Sequence, residues 1–218
     1  MKTAIVIGAT GLIGKQITLN LLKDERYSKI KIFARRESGI KSSKLEEHIV
    51  DFGQIEKWKS EVAGDELYSA MGTTIKKAGS KDNQYKIDFT YQYETARAAA
   101  ENGVEKYLLV SSAGANYKSS NFYLRIKGEL EEKSVQLPFK KISIFRPSIL
   151  LGMREEERFA ERIGIPLAKG ITSLIPLLKK YKPIEGKTVA EAMIKCANDP
   201  GHGRIIVYSL DDIFKISE

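Results

Sequence analysis

The sequence predicts an α/β fold, a Rossmann-type doubly wound parallel sheet with helices on both faces. Three observations carry this prediction. Short apolar runs alternate with stretches of helical periodicity, a glycine cluster follows the first apolar run directly, and 218 residues suffice for one well-buried domain at roughly 150 residues per domain. An apolar run without polar alternation is what a strand buried on both faces of a parallel sheet requires.

Residues 3–7 read as the first strand and residues 12–22 as the amphipathic helix that follows it. Strands are expected next at residues 29–34, 48–50 and 66–70. A long helix should begin at Asp88, a good N-cap residue, and end at Glu101, with Asn102-Gly103 as a left-handed stop. Residues 106–111 form a strand around Tyr107-Leu108-Leu109-Val110, residues 122–133 a helix and residues 141–145 a strand. Beyond Arg146-Pro147 the alternation loosens, with helices expected at 155–163, at 173–181 and around Cys196 (188–197), and a last strand at 204–208. That tail is too small to fold alone. Residues 1–218 are therefore one domain, whose part from about 150 covers a pocket at the carboxyl ends of the strands, where open α/β sheets bind ligands.

An apolar share of 42% and a charged share of 29% are ordinary for a soluble globular chain and exclude a low-complexity or fibrous protein. The net charge of +8 favours anionic ligands, but the basic residues are spread out and interrupted by acids, as in Arg154-Glu155-Glu156-Glu157-Arg158, so no nucleic-acid partner is expected. No run approaches the ~20 apolar residues of a membrane span. The one cysteine, Cys196, precludes an internal disulfide and reads as a small core residue. The first apolar run is too short for a signal peptide, and a cytoplasmic location is expected. His48 and His202 are isolated, so no metal is expected.

The cluster Gly8-Ala9-Thr10-Gly11-Leu12-Ile13-Gly14 lies between a first strand and a first helix, the context that a dinucleotide reading demands. Gly8 permits the sharp turn, Gly11 lets backbone approach a pyrophosphate, Gly14 lets the helix pack on the strand, and the amides of Gly11, Leu12 and Ile13 face the anion. A P-loop is excluded by Ala9 and Gln16. The second strand ends in Arg35-Arg36 where an NAD-specific chain has a carboxylate, and paired guanidiniums favour the 2′-phosphate of NADPH. Asp51 and Phe52, ending the third strand, are assigned to adenine; Gly72 and Thr73, ending the fourth, are assigned to the ribose, with Met71 beside them.

Hydride transfer to a carbonyl needs a proton donor, and a tyrosine serves if a nearby cation eases its ionisation. Tyr123 and Lys127 are four residues apart on one helix face, just after a strand that ends in Ser111-Ser112. Tyr27 and Lys31 share the spacing but fall on the second strand, far from any hydride site.

Together with Met71-Gly72-Thr73-Thr74, Lys77-Ala78-Gly79-Ser80, Ser111-Ser112-Ala113-Gly114-Ala115, Phe122-Tyr123, Lys127-Gly128-Glu129, Arg146-Pro147-Ser148, Leu150-Leu151-Gly152 and Pro183-Ile184, these residues resemble the short-chain dehydrogenase/reductase superfamily, in particular its atypical branch of Tat-interacting-protein-like oxidoreductases. The resemblance implies that Tyr123 is the general acid/base, that Lys127 binds the nicotinamide ribose and depresses the tyrosine pKa, and that Ser112, with Ser111 as fallback, orients the carbonyl. It places Pro147, Ser148 and Leu150 beside the nicotinamide and Arg154 or Arg158 at the pocket mouth. It also points to a homodimer surface on the helices beginning at Asp88 and Phe122. One departure stands out: the asparagine that many members carry in the helix before the serine strand is absent from residues 88–101.

The expected function is an NADPH-dependent oxidoreductase acting on a small carbonyl or alcohol; the alternative is a non-catalytic NADPH-binding sensor or scaffold. An epimerase would resemble longer chains, and a semialdehyde dehydrogenase would need a nucleophilic cysteine elsewhere than Cys196.

Overall fold

The computed structural model describes residues 1–151, 182–199, 201 and 203–217. In chain order the described strands are β1 (Lys2–Ile7), β2 (Tyr27–Ala34), β3 (Leu45–Ile49), β4 (Glu66–Ser69), β5 (Lys106–Val110), β6 (Lys141–Arg146), β7 (Leu150–Leu151), β8 (Ile184–Glu185) and β9 (Ile205–Ser209). The helices are α1 (Leu12–Lys23), α2 (Ile75–Ala78), α3 (Lys81–Tyr85), α4 (Tyr91–Glu101), α5 (Phe122–Ser134), α6 (Gly186–Asn198) and α7 (Asp211–Ser217). Seven strands form one sheet in the order β3-β2-β1-β4-β5-β6-β9, with every neighbouring pair parallel. β7 and β8 make a separate two-stranded parallel pair. This is the doubly wound Rossmann-type sheet that the sequence predicts.

Successive strand residues point to opposite faces, so the apolar runs serve two cores at once. Ala4, Val6, Ile30, Ile32, Tyr68, Leu108 and Phe145 pack under α1 and α6. Ile5, Ile7, Phe33, Leu67, Leu109 and Ile144 pack under α4 and α5. β1 lies between β2 and β4, so the chain winds outward in both directions from there. A crevice consequently opens beyond the carboxyl ends of β1 and β4.

The structure moves two expected elements and adds one. β3 runs over Leu45–Ile49 rather than 48–50, because as a half-exposed edge strand with the sequence Leu-Glu-Glu-His-Ile it has no apolar run to announce it. The long helix does not start at Asp88. Helical backbone starts at α3, capped by Ser80 Oγ, which accepts from the Asn83 amide, and continues through a π-helical turn, Lys86–Thr90, into α4. Asp88 lies inside that turn, fully buried, where it caps nothing. In the tail, α6 packs on α1 and β9 extends the sheet beside β6, so the described tail is woven into the domain; α7 had no counterpart in the sequence reading. The helices expected at 155–163 and 173–181, with Arg154 and Arg158, lie outside the described residues.

Candidate active site and cofactor cleft

The glycine loop leaves β1 at Gly8, whose φ of +83° is open to glycine and strained for other residues. A Cβ there would lie 2.5 Å from the Ala70 carbonyl oxygen, and one at Gly14 would lie 2.2 Å from the Gly8 carbonyl oxygen, so both glycines are required by close packing of backbone on backbone. The Gly11 amide, expected to face an anion, donates to the Gly8 carbonyl at 2.8 Å and closes the turn. For Leu12 and Ile13, no backbone carbonyl among the described residues accepts from their amides. α1 carries neither a side-chain cap nor an acidic residue in its first turn, and Thr10, Gly11 and Leu12 are exposed. Uncapped amides and the positive end of the helix dipole fit a pyrophosphate.

Arg35 and Arg36 follow β2 in an exposed bend at the same end of the sheet. Asp51 caps a 3-10 turn, Phe52–Lys57, its carboxylate accepting from the Gly53 amide at 2.9 Å and from Gln54 Nε2 at 2.9 Å. Phe52 is buried between Trp58 and Tyr91.

α5 carries Tyr123 and Lys127, two of the expected site residues. Asn121 Oδ1 accepts from the amides of Tyr123 and Leu124 at 3.0 and 3.2 Å, fixing the start of the helix. A Cβ at Gly128 would sit 2.2 Å from the Tyr117 amide nitrogen, so only glycine lets α5 lie against the loop that follows β5. Tyr123 lies beside Ser112, whose hydroxyl donates to the Ala113 carbonyl at 3.3 Å. Lys127, 3% exposed, points beneath it toward the end of β4, with Nζ 3.5 Å from the Met71 carbonyl oxygen.

The two serines face different ways. Ser111 donates to Glu131, which also pairs with Arg146 through two guanidinium contacts, so the Ser111 hydroxyl belongs to a buried network between β5, β6 and α5. Ser111 is thereby withdrawn from the tyrosine, and Ser112 is the serine beside it.

A residue outside the expected constellation completes the site. Asp88 Oδ1 lies 3.4 Å from Lys127 Nζ, and the carboxylate faces the Thr73 amide at 3.3 and 3.4 Å. Gln84 lies beside it and donates to the Thr73 carbonyl at 3.2 Å. The π turn leaves carbonyls without regular helical partners, and Gln92 Nε2 takes that of Asp88 at 2.8 Å, while its Oε1 accepts from Ser69 at the end of β4. Gln84, Asp88 and Gln92 recur at four-residue steps, one polar face on a helix. That stripe is the signal in the sequence that the N-cap assignment overlooked.

Electrostatics differ from the expectation too. Burial pushes the Tyr123 phenol above its ordinary range, the Asp88 charge pushes it further, and the neighbouring Ser112 hydroxyl opposes both. Lys127 pairs with Asp88, whose charge acts on the tyrosine in the direction opposite to the depression expected of the lysine. Burial likewise raises the Asp88 carboxyl, against the pull of Lys127.

Near the expected nicotinamide position, Ser148 donates to the Lys182 carbonyl, the Pro147 carbonyl accepts from the Ala113 amide at 3.0 Å, and Leu150 pairs with Ile184. These contacts tie the segment after β6 to both the serine loop and the start of α6. Tyr27, of the alternative Tyr-Lys spacing, donates to Glu66 at the opposite end of the sheet.

A family model described as NAD(P)H-binding matches residues 8–136. Among curated proteins, the chain is 36% identical over 203 residues to "Protein FMP52-1, mitochondrial" of Scheffersomyces stipitis, covering 90% of this chain and 88% of that protein. It is 30% identical over 208 residues to "Protein HTATIP2" of Rattus norvegicus, covering 94% of this chain and 84% of that one. Among solved structures, the Bordetella bronchiseptica enzyme WbmH in complex with NAD+ superposes with a TM-score of 0.69 over 96% of this chain and 75% of that one, at 17% identity, a likeness of fold. The fungal relatives are named mitochondrial, which overturns the cytoplasmic expectation; neither the composition nor the short first apolar run carried that information.

Proposed function

The chain belongs to the NAD(P)H-binding family, in the atypical short-chain dehydrogenase/reductase branch, and on that premise we propose that it is an NADPH-dependent oxidoreductase acting on a small carbonyl or alcohol. The observation that supports this reading most is the gathering of Ser112, Tyr123 and Lys127 next to the loop that leaves β4. NADPH, when bound, supplies the hydride.

The chain's own residues have the following roles in this reading. The Leu12 and Ile13 amides, with Gly8, Thr10, Gly11 and Gly14 shaping the loop, receive the pyrophosphate. Arg35 and Arg36 meet the 2′-phosphate, since planar guanidiniums suit such oxygens. Asp51 and Phe52 wall the adenine side, and Met71, Gly72 and Thr73 the ribose side. Pro147, Ser148 and Leu150 border the nicotinamide, with Arg158 as a basic residue near the mouth. Ser112 orients the substrate oxygen, Tyr123 holds the proton to be transferred, and Lys127 is the ribose contact. A mitochondrial location, as in the relatives' names, is part of the proposal.

The test is NADPH oxidation across aldehydes, ketones and quinones by wild type and Tyr123→Phe. The variant is expected to lose at least about 100-fold in turnover, the low end for a general acid, with NADPH affinity kept within a few fold. Confirmed NADPH binding without turnover of any of these carbonyls would replace the reductase reading with that of a non-catalytic binder.

A further inference from the structure

The buried ion pair Asp88–Lys127 has no place in the roles just assigned. Its carboxylate is fully buried, its ammonium is 3% exposed, and they are 3.4 Å apart on two different helical elements that meet below Tyr123. Burial of both charges is costly unless each is paired and hydrogen-bonded. Here the surroundings supply those bonds: the Thr73 amide for Asp88, with Gln84 holding the Thr73 carbonyl, and the Met71 carbonyl for Lys127. The π turn, an irregular element that often marks functional positions, is what brings Asp88 into this place, and Gln92 donates to the Asp88 backbone carbonyl that the turn leaves over.

We propose that Asp88, by holding the charge of Lys127, is a positioning residue that sets Tyr123 and Ser112 to donate a proton, which makes the site one for carbonyl reduction rather than alcohol oxidation. This rests on the reading of Tyr123 as the proton-transferring group. The titratable groups that meet here among the described residues are Lys127 and Tyr123 from α5 and Asp88 from the π turn; Ser112, Thr73 and Gln84 contribute neutral dipoles.

The argument is one of net charge. An isolated ammonium beside a phenol favours phenolate, the base needed to oxidise an alcohol. An ammonium already paired to a carboxylate offers little of that field, and the carboxylate repels a second anion. The neutral phenol therefore prevails across the physiological range, as the direction of the Tyr123 shift also indicates. In the reduction, a bound reduced nicotinamide would supply the hydride for the new C–H bond and would itself be the group oxidised. The Oη–H bond of Tyr123 breaks as the substrate oxygen takes the proton, leaving a phenolate that solvent reprotonates.

The test is a near-ultraviolet phenolate titration of Asp88→Asn and of wild type, each with its Tyr123→Phe counterpart as the blank, so that the difference reports Tyr123 alone. Asp88→Ser is carried in parallel in case the amide misfolds, and circular dichroism confirms that each protein is folded at each pH. Ionisation of Tyr123 is expected about one pH unit or more lower once the carboxylate is gone. With a carbonyl that wild type reduces, the rate should be flat up to alkaline pH in wild type and decline from a lower pH in the Asp88 variants, while oxidation of the matching alcohol rises. Unchanged Tyr123 ionisation in folded variants, with turnover still dependent on Tyr123, overturns this inference alone. Absence of Tyr123-dependent turnover overturns the functional reading, and the direction with it, whatever the ionisation does.

Discussion

The two ends of the sheet each bury a carboxylate, and they use it differently. At the amino-terminal end of the strands Glu66 is fully buried among Lys2 at 2.7 Å, Lys106 at 3.7 Å, and the hydroxyls of Tyr27 and Tyr68 at 2.6 and 2.9 Å. Asn198 at the end of α6 joins the same cluster through Lys2 and Tyr27, so the network locks the first strand to the last long helix. At the carboxyl-terminal end Asp88 has one cation among the described residues, and that cation lies beside a phenol facing the cleft. A carboxylate with its bonds made among the fold's own groups holds the fold; one whose partner lies beside a cleft-facing phenol is, in the proposed reading, the one that bears on proton transfer. The difference lies in the neighbours, since both are acids with no exposure.

The largest effect should come from the lower end. Glu66→Ala leaves Lys2 and two phenols without their acceptor, and breaking a buried pair costs about 3–5 kcal/mol. Urea denaturation should show that loss, with NADPH affinity of the folded fraction unchanged. A cost below about 1 kcal/mol, the level of a surface pair, would break the contrast between the two ends.

At the upper end, charges that meet ligands should matter little to folding. Arg35→Ala combined with Arg36→Ala, both exposed, should leave stability within about 0.5 kcal/mol. The same variant should weaken NADPH by about tenfold or more, because charge-assisted hydrogen bonds contribute about 1.5–3 kcal/mol, and weaken NADH hardly at all. Equal losses for both dinucleotides would refute the assignment to the 2′-phosphate.

The smallest effect sharpens the comparison through pH. Burial and the Glu66 charge push the phenols of Tyr27 and Tyr68 well above their ordinary range. Above about pH 10 the unfolded chain releases these protons while the folded chain keeps them. Stability must then fall as pH rises, by about 1.4 kcal/mol per pH unit for each such phenol. Tyr68→Phe should flatten this alkaline limb by one phenol's share in thermal melts taken from neutral pH to about pH 11. An unaltered slope would mean that Tyr68 ionises freely in the folded state.

The backbone part of the cleft was legible from spacing alone. Gly8, Gly14 and the uncapped start of α1 depend on contacts within one strand-loop-helix unit and the strand beside it, so their chemistry is written in neighbouring residues. Tyr123 and Lys127 were legible because a helix places residues four apart on one face. The choice between Ser111 and Ser112 was not legible. Adjacent residues at a strand end point to opposite sides, and only the position of Glu131 on α5 shows which side holds the network and which the tyrosine.

Asp88 was the larger miss. Its residue type favours a helix start, and the polar stretch from Lys81 to Lys86 hides the helical turns before it. Local propensity was overridden by a buried cation 39 positions later in the chain, since 127 minus 88 is 39. The sequence by itself determined the sheet, its two apolar faces, the glycine loop and the Tyr-Lys pair, because each rests on periodicity or on steric limits of adjacent residues. Tertiary structure alone decided which serine meets the tyrosine and which acid holds the lysine, because a charge's effect depends on its distance and its burial, and those are set by segments far apart in the chain.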